Sequence, residues 1–406
     1  MTTFVALLML LQLGQDWGTS TLLASLLALP WAAKTLVTTH IRHWGHIALQ
    51  LRIVEMLLFG ALVALAFCFV GSEAVMWHVY GLLMAISILC SWHEVAARIH
   101  YEHLLRPAVQ RLYDGTKLFY SQLVAVVTYG IMLAGVGFLE VFYHNRRDAV
   151  TLSWSTAVYV LAGVYLLLVI YNLLVLPSST RSQYAAIRNG AHHTGAQHEA
   201  RPAALAHWRK TSTWAAVVCL TLMLLPQAMM FHTRVLFFIA PRVDGGLGAT
   251  LQWIGLAQGT VGVIAFSVGL MLGRRLLSQG KAVRIMSIML PLSPVVYWLM
   301  AHTQPASLPV LCVATAVAQM LFGCGLNACQ PYVRVVSGLR YRTATNYLYI
   351  PVIALAMLLP MAVSGWLAQN MDFKTFFAIN SILILPALIA AYAGNKTILS
   401  INECNK

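Results

Sequence analysis

The sequence predicts an all-α protein that crosses a membrane many times, and three observations carry that prediction. Of its 406 residues, 60% are hydrophobic and only 9% charged, with a mean hydropathy of +0.75, far from the composition of soluble globular chains. Apolar runs of about 20 residues, the length that spans a bilayer core as a helix, recur with short polar joints between them. One long hydrophilic stretch, Pro177 to Ser212, divides these runs into two similar groups.

The first apolar stretch, FVALLMLLQL from Phe4 to Leu13, reaches only roughly 15 Å as a helix, half of a bilayer core. It has no basic leader and no small-residue cleavage site, so it reads as the tail of a first spanning helix rather than a signal peptide. Complete spans follow near 18–37, 48–70, 76–98, 120–142 and 152–176, and, after the hydrophilic stretch, near 213–239, 251–277, 284–301, 307–334, 344–368 and 374–394. The expected organisation is an N-terminal transmembrane half (1–176), a linker (177–212), a C-terminal transmembrane half (213–396) and a short tail (397–406).

The net charge of +14 does not point to nucleic acid, because of where the charges fall. Arg42, Arg52, Arg106, Arg111, Lys117, Arg181, Arg188, Arg209, Arg274, Arg275, Arg284, Arg340 and Lys396 fall on one side under this topology, and only Arg146, Arg147, Arg242 and Lys374 on the other. The positive-inside rule then puts the 177–212 linker and the C-terminus in the cytoplasm. The seven cysteines include no C-x-x-C pair and read as packing residues rather than a disulfide or zinc framework. The irregularly spaced His192, His193, His198 and His207 read as a solvated linker, and His40, His43 and His46 as part of a basic turn. The chain carries no G-x-x-x-x-G-K-[ST], H-E-x-x-H or G-x-S-x-G motif, which leaves an ATP-driven pump or an enzyme without support. No cofactor or metal is expected.

The informative residues are the polar ones inside spans. An ionised side chain at the bilayer centre costs about 2.5–3.5 kcal/mol on insertion scales, so it is normally paired, turned inward and functional. In MAISILCSWHEVAARIHYE, Ser87, Ser91, Glu94 and Arg98 share one helix face, which would form the polar wall of a cavity. Glu94 and Arg98, four apart, are spaced to neutralise one another. Two readings stand: a carboxylate whose protonation depends on the side it faces, or a fixed ion pair between helices. His93, about 100° round the helix, reads as a hydrogen-bonded interface residue. Lys34, alone in LALPWAAKTLV, either snorkels to the cytoplasmic face or contacts a solute. In LLPQAMMFHTRVLFFIA, Gln227 and Arg234 share a face; Arg234 either binds an anionic group or pairs with Asp16, Glu140 or Asp244. A shift of 236 residues carries Ser87, Ser91, Glu94 and Arg98 onto Gly323, Asn327, Gln330 and Arg334, as an internal repeat would. Gly269 and Gly273 form a small-xxx-small pair that suits close helix packing.

Several segments bear a family resemblance. SLLALPWAAKTLV, with Pro30, Trp31 and Lys34, resembles the second-helix motif of the AmpG-like permeases, which are muropeptide importers of the major facilitator superfamily. SWHEVAARIHYE resembles that family's fourth helix, with Glu94 at the position of its acid; Gly245 to Gly273 resembles its eighth helix and the loop before it; Met357 to Phe377 resembles helix eleven and the start of twelve. The chain departs from the family where VTTHIRHWG replaces a W-x-P-x-x-D acid and where Arg98 stands for a second acid. The resemblance implies a major facilitator fold of two six-helix halves, the first helix truncated and about 11 spans complete. It also implies a bacterial inner-membrane symporter that imports a polar or anionic solute by alternating access, with protons as coupling ion and an anhydro-muropeptide as substrate class. Its expected partners are solute, protons and the bilayer, and it is expected to act as a monomer. Iron-chelate permeases share the LLALPWA stretch and give an alternative substrate; a degenerate carrier that no longer transports is a third reading. The residues assigned to solute or proton are Lys34, Glu94, Arg98, Gln227, Arg234, Asn327 and Gln330.

Overall fold

A computed structural model describes residues 2–34, 46–70, 76–104, 107–175, 211–277, 282–337 and 350–383, with isolated positions 38, 41, 385, 386 and 389. In the first half the chain forms α1 (Thr2–Gln12), α2 (Trp17–Leu26), α3 (Leu29–Ala32), α4 (Ile47–Cys68), α5 (Met76–Leu104) and α6 (Pro107–Val126). A π-helical turn, Val127–Ile131, leads from α6 into α7 (Met132–Phe142), and α8 (Ala149–Val175) completes this half. The second half comprises α9 (Thr211–Ile239), α10 (Leu251–Ile254), a π-helical turn Gly255–Val261, α11 (Gly262–Leu277), α12 (Ala282–Thr303), α13 (Leu308–Ser337), α14 (Ile350–Asn370) and α15 (Phe373–Ile382).

Among the described residues, seven helices are long and apolar enough to cross a membrane. The helices follow the predicted spans, but α5 and α6 continue beyond theirs at the end where the two meet, at Leu104 and Pro107. Hydropathy marks where a helix is in lipid, not where it stops, so the polar turns at these ends were invisible to it. Most of the predicted linker and all of the tail lie outside the described residues; Thr211 and Ser212 open α9. The histidine and arginine cluster at 40–43 likewise lies outside them.

Prolines remove backbone donors inside several of the described helices, and at two of them neighbouring side chains bond to the nearby carbonyls. Pro30 has no N–H to donate, and α2 gives way to α3 around it. Ser87 of α5 donates to the Leu27 carbonyl at 2.5 Å and Ser91 to the Pro30 carbonyl at 2.7 Å. In α12, Pro294 cannot bond back to Leu290, and the Leu290 carbonyl instead accepts from Gln227 Nε2 of α9 at 2.6 Å. Pro360 lies inside α14, and two residues past it the Ala362 carbonyl accepts from Thr21 Oγ1 of α2 at 3.4 Å.

The halves meet closely at one end of the molecule, where the turns 13–16, 143–148, 240–250 and 371–372 lie. Deeper along their helices, the two π-helical turns also face one another. A methyl group on Gly259 would fall on the Tyr129 carbonyl, and one on Gly255 would lie 2.7 Å from the Gly130 carbonyl. Gly137 approaches the Gln252 backbone in the same way, at 2.6 Å, and Gly365 of α14 packs on Trp17 and Thr21 of α2. Glycine is required at these positions because backbone occupies the space of a Cβ. Within the second half, Gly269 and Gly273 pack against the backbone of Met320 and Cys324, the close approach their spacing predicts. Val160, Leu167 and Leu174 leave one side of α8 apolar and exposed, as a lipid-facing helix requires, whereas α9 buries Leu224, Ala228, Val235 and Phe238.

Candidate functional site

The break at Pro30 positions the main cluster. Past it, Lys34 turns inward and is buried, and its ammonium donates to the Glu94 carboxylate of α5. The Lys34 side chain is 9% exposed and that of Glu94 57%. A buried cation is therefore held by a carboxylate that is itself open to exchange. Lys34 Nζ also lies 4.7 Å from the centre of the Trp31 ring, a cation–π contact that helps to offset its desolvation. Arg98 and Lys117 act on Lys34 electrostatically, so the buried ammonium has two further cations within reach.

This geometry corrects the local reading of α5. Glu94 pairs with Lys34, 60 residues away, and no ion pair joins it to Arg98 among the described residues. The reason is burial: Lys34 has no water to neutralise it, whereas Arg98 is exposed and keeps its own hydration. Lys34 does not snorkel. Ser87 and Ser91 are buried against α2 and α3 rather than lining a cavity. Ser87, Ser91 and Glu94 therefore form a ladder of polar contacts that fastens α5 to the broken helix.

Arg234 of α9 forms a second centre. Its guanidinium lies 5.0 Å from the Phe231 ring, Tyr129 of the other half is within its electrostatic reach, and its Nε is buried with no hydrogen-bond partner. Arg234 does not pair with any of its three candidate carboxylates. Glu140 accepts from Gln12 Nε2 at 2.6 Å, Asp16 caps α2, and Asp244 sits in a 3-10 turn, Arg242–Asp244, with no ion pair among the described residues. Beside Arg234, His232 Nδ1 lies 3.3 Å from Ser25 Oγ of α2, a polar contact between the halves.

The remaining candidates divide. Gln227 is committed to the Leu290 carbonyl. Asn327 donates to the Leu270 carbonyl of α11 at 2.7 Å. Its counterpart under the 236-residue shift, Ser91, bonds to α3 in the same manner, so the equivalent positions fasten equivalent helices. Gln330 lies on α13, its side chain outside the described residues. No hydrogen bond or ion pair among the described residues joins the Lys34 cluster to Arg234.

Sequence reading passed over Glu55 of α4, which binds His93 and Asn172, and the chain Trp154–Gln12–Glu140, in which Trp154 Nε1 donates to Gln12 Oε1 at 2.5 Å. A lone acid in LRIVEMLLF was the available signal for the first. His93 has the interface role expected of it.

No protein-family model matches the chain, and no curated protein matches it in sequence. Solved structures do match its shape. The nucleoside transporter NupG superposes with a TM-score of 0.69 at 14% identity, over 97% of this chain and 94% of that one. An inward-facing, unoccupied bacterial homologue of the human lysosomal transporter Spinster gives 0.65 at 14% identity, over 98% and 93%. The D-xylose–proton symporter gives 0.58 at 16% identity, over 96% and 92%. With its apolar helices, this likeness defines the class: a multi-pass, all-α membrane protein. Within that class, the chain has the major facilitator fold.

Proposed function

We propose that the chain is a proton-coupled secondary transporter of the bacterial inner membrane. It imports a polar or anionic solute by alternating access, with anhydro-muropeptides as the substrate class. The observation that carries this reading is the Lys34–Glu94 pair, a buried cation whose partner carboxylate is accessible. An anionic group of the solute competes with Glu94 for Lys34, and a proton on Glu94 releases Lys34 to receive it. Proton and solute then bind together, which is the requirement for symport. Arg98 and Lys117 add positive charge for an acidic solute, and Arg234 offers a further donor.

The packing supports a state closed at the end where Gly137 meets Gln252 and Trp17 meets Phe373. The positive-inside rule makes this the external end, with linker and C-terminus cytoplasmic. The substrate class follows from the resemblance of the LALPWAAK and SWHEVAAR segments, which hold both members of the pair. The test is uptake of labelled anhydro-muropeptide by proteoliposomes containing the chain. The reading expects accumulation driven by an imposed proton gradient and abolished by an uncoupler; accumulation indifferent to the gradient, or none, overturns it.

A further inference from the structure

A second acid lies inside the first half, away from the Lys34 cluster. Glu55 stands about 12 Å along α4 from Ile47 at about 1.5 Å per residue, and its side chain is 2% exposed. Its Oε1 takes both available contacts, Asn172 Nδ2 of α8 at 2.8 Å and His93 Nε2 of α5 at 3.1 Å. Its Oε2 is buried with no hydrogen-bond partner, and so is the hydroxyl of Tyr165 on α8, which lies within electrostatic reach of Glu55. The titratable or charged groups near Glu55 are His93 and Cys90 on α5, Tyr165 on α8, and Arg52 one turn earlier on α4.

A permanently ionised pair that serves only to hold helices together would use both carboxylate oxygens, because an unsatisfied one costs about 1–3 kcal/mol or more. A carboxylic acid does not have this problem. A proton on Oε2 removes the charge that has no partner there, while Oε1 keeps its two contacts. The same proton moved to His93 leaves a neutral carboxylate–imidazolium pair. With one proton the pair is uncharged; without it, a net negative charge is left at membrane depth. The His93 side chain, 32% exposed, is the more accessible member through which a proton can enter.

We propose that Glu55 and His93 form a proton-binding site of the carrier, distinct from the solute site at Lys34 and Glu94. The inference rests on the reading of the chain as proton-coupled. His93 and Glu94 are adjacent on α5, so a charge change at the first site acts on the helix that carries the second.

The test is pH-difference infrared spectroscopy of the purified full chain in lipid, with no solute present. The parent is expected to show a carboxylic C=O band that grows on acidification. Glu55→Gln should remove one component of this band, His93→Asn should shift that component's frequency, and Glu94→Gln should leave it in place while removing a component of its own. A band identical in the parent and Glu55→Gln overturns the proposal. So does a band that responds to sodium at fixed pH and not to pH. Should Glu55→Gln not fold, the His93→Asn spectrum decides, since an unshifted band there excludes His93 from the site. The readout needs no solute, so it stands or falls separately from anhydro-muropeptide uptake.

Discussion

Lys34 is buried and Glu94, which holds it, is not. The pair is therefore asymmetric: the carboxylate can leave for water or take a proton, but the ammonium cannot leave without a replacement partner. Substituting Lys34 with Met should remove the anion-receiving charge while filling its space. Solute binding, measured by calorimetry with anhydro-muropeptide, should weaken by about tenfold or more, about 1.4 kcal/mol, with little loss of fold stability, since the Glu94 carboxylate left without its partner is exposed and stays hydrated.

Ser91 donates to the Pro30 carbonyl at the break between α2 and α3. Ser91→Ala leaves that carbonyl unsatisfied at membrane depth, at a cost of about 1–3 kcal/mol. Thermal unfolding in detergent should show a lowered midpoint for Ser91→Ala, and for Ser87→Ala likewise. An unchanged midpoint in both would mean that the break is held by packing alone.

Gly259 admits the Tyr129 carbonyl where a side chain would otherwise stand. Gly259→Val should wedge the halves apart at this contact and loosen the closed end beyond it. Spin labels at Arg146 and at Val243, both exposed, report the gap. Their distance distribution should move to longer values in the variant, and an unmoved distribution would exclude this contact as part of the gate.

At the same end, Asp16 and Asp372 cap α2 and α15, accepting from the backbone of Thr19 and Thr375 at 2.9 and 3.1 Å. The following residues, Trp17 and Phe373, stack across the halves with ring centres 5.4 Å apart. Hydrogen bonds to Thr19 and Thr375 hold both carboxyls below the ordinary carboxylate value of 3.8. A group whose folded pKa is depressed stabilises the fold fully above its unfolded value and loses that contribution as pH falls through the folded one. Asp372→Ala should therefore cost about 0.5–2 kcal/mol near neutrality, and the deficit against the parent should shrink below pH 3.8. A deficit independent of pH would assign it to packing.

The helices were legible in the sequence because hydropathy acts locally. The partners of the polar residues were not. Glu94 showed only Arg98 within helical spacing, while its actual partner lies on another helix. Gln227 looked like a cavity residue because nothing near it in sequence reveals that Pro294 has left the Leu290 carbonyl bare. Ser91 and Asn327, paired in the sequence by a shift of 236 residues, each donate to a backbone carbonyl of a neighbouring helix, a role that their polarity alone did not separate from lining a cavity.

The central claim is that Glu94 couples proton to solute through Lys34. Glu94→Gln in proteoliposomes, assayed with labelled anhydro-muropeptide, tests it most directly. The account predicts that exchange of labelled for unlabelled solute persists while accumulation driven by a proton gradient is lost. Gradient-driven accumulation at the level of the parent would contradict it.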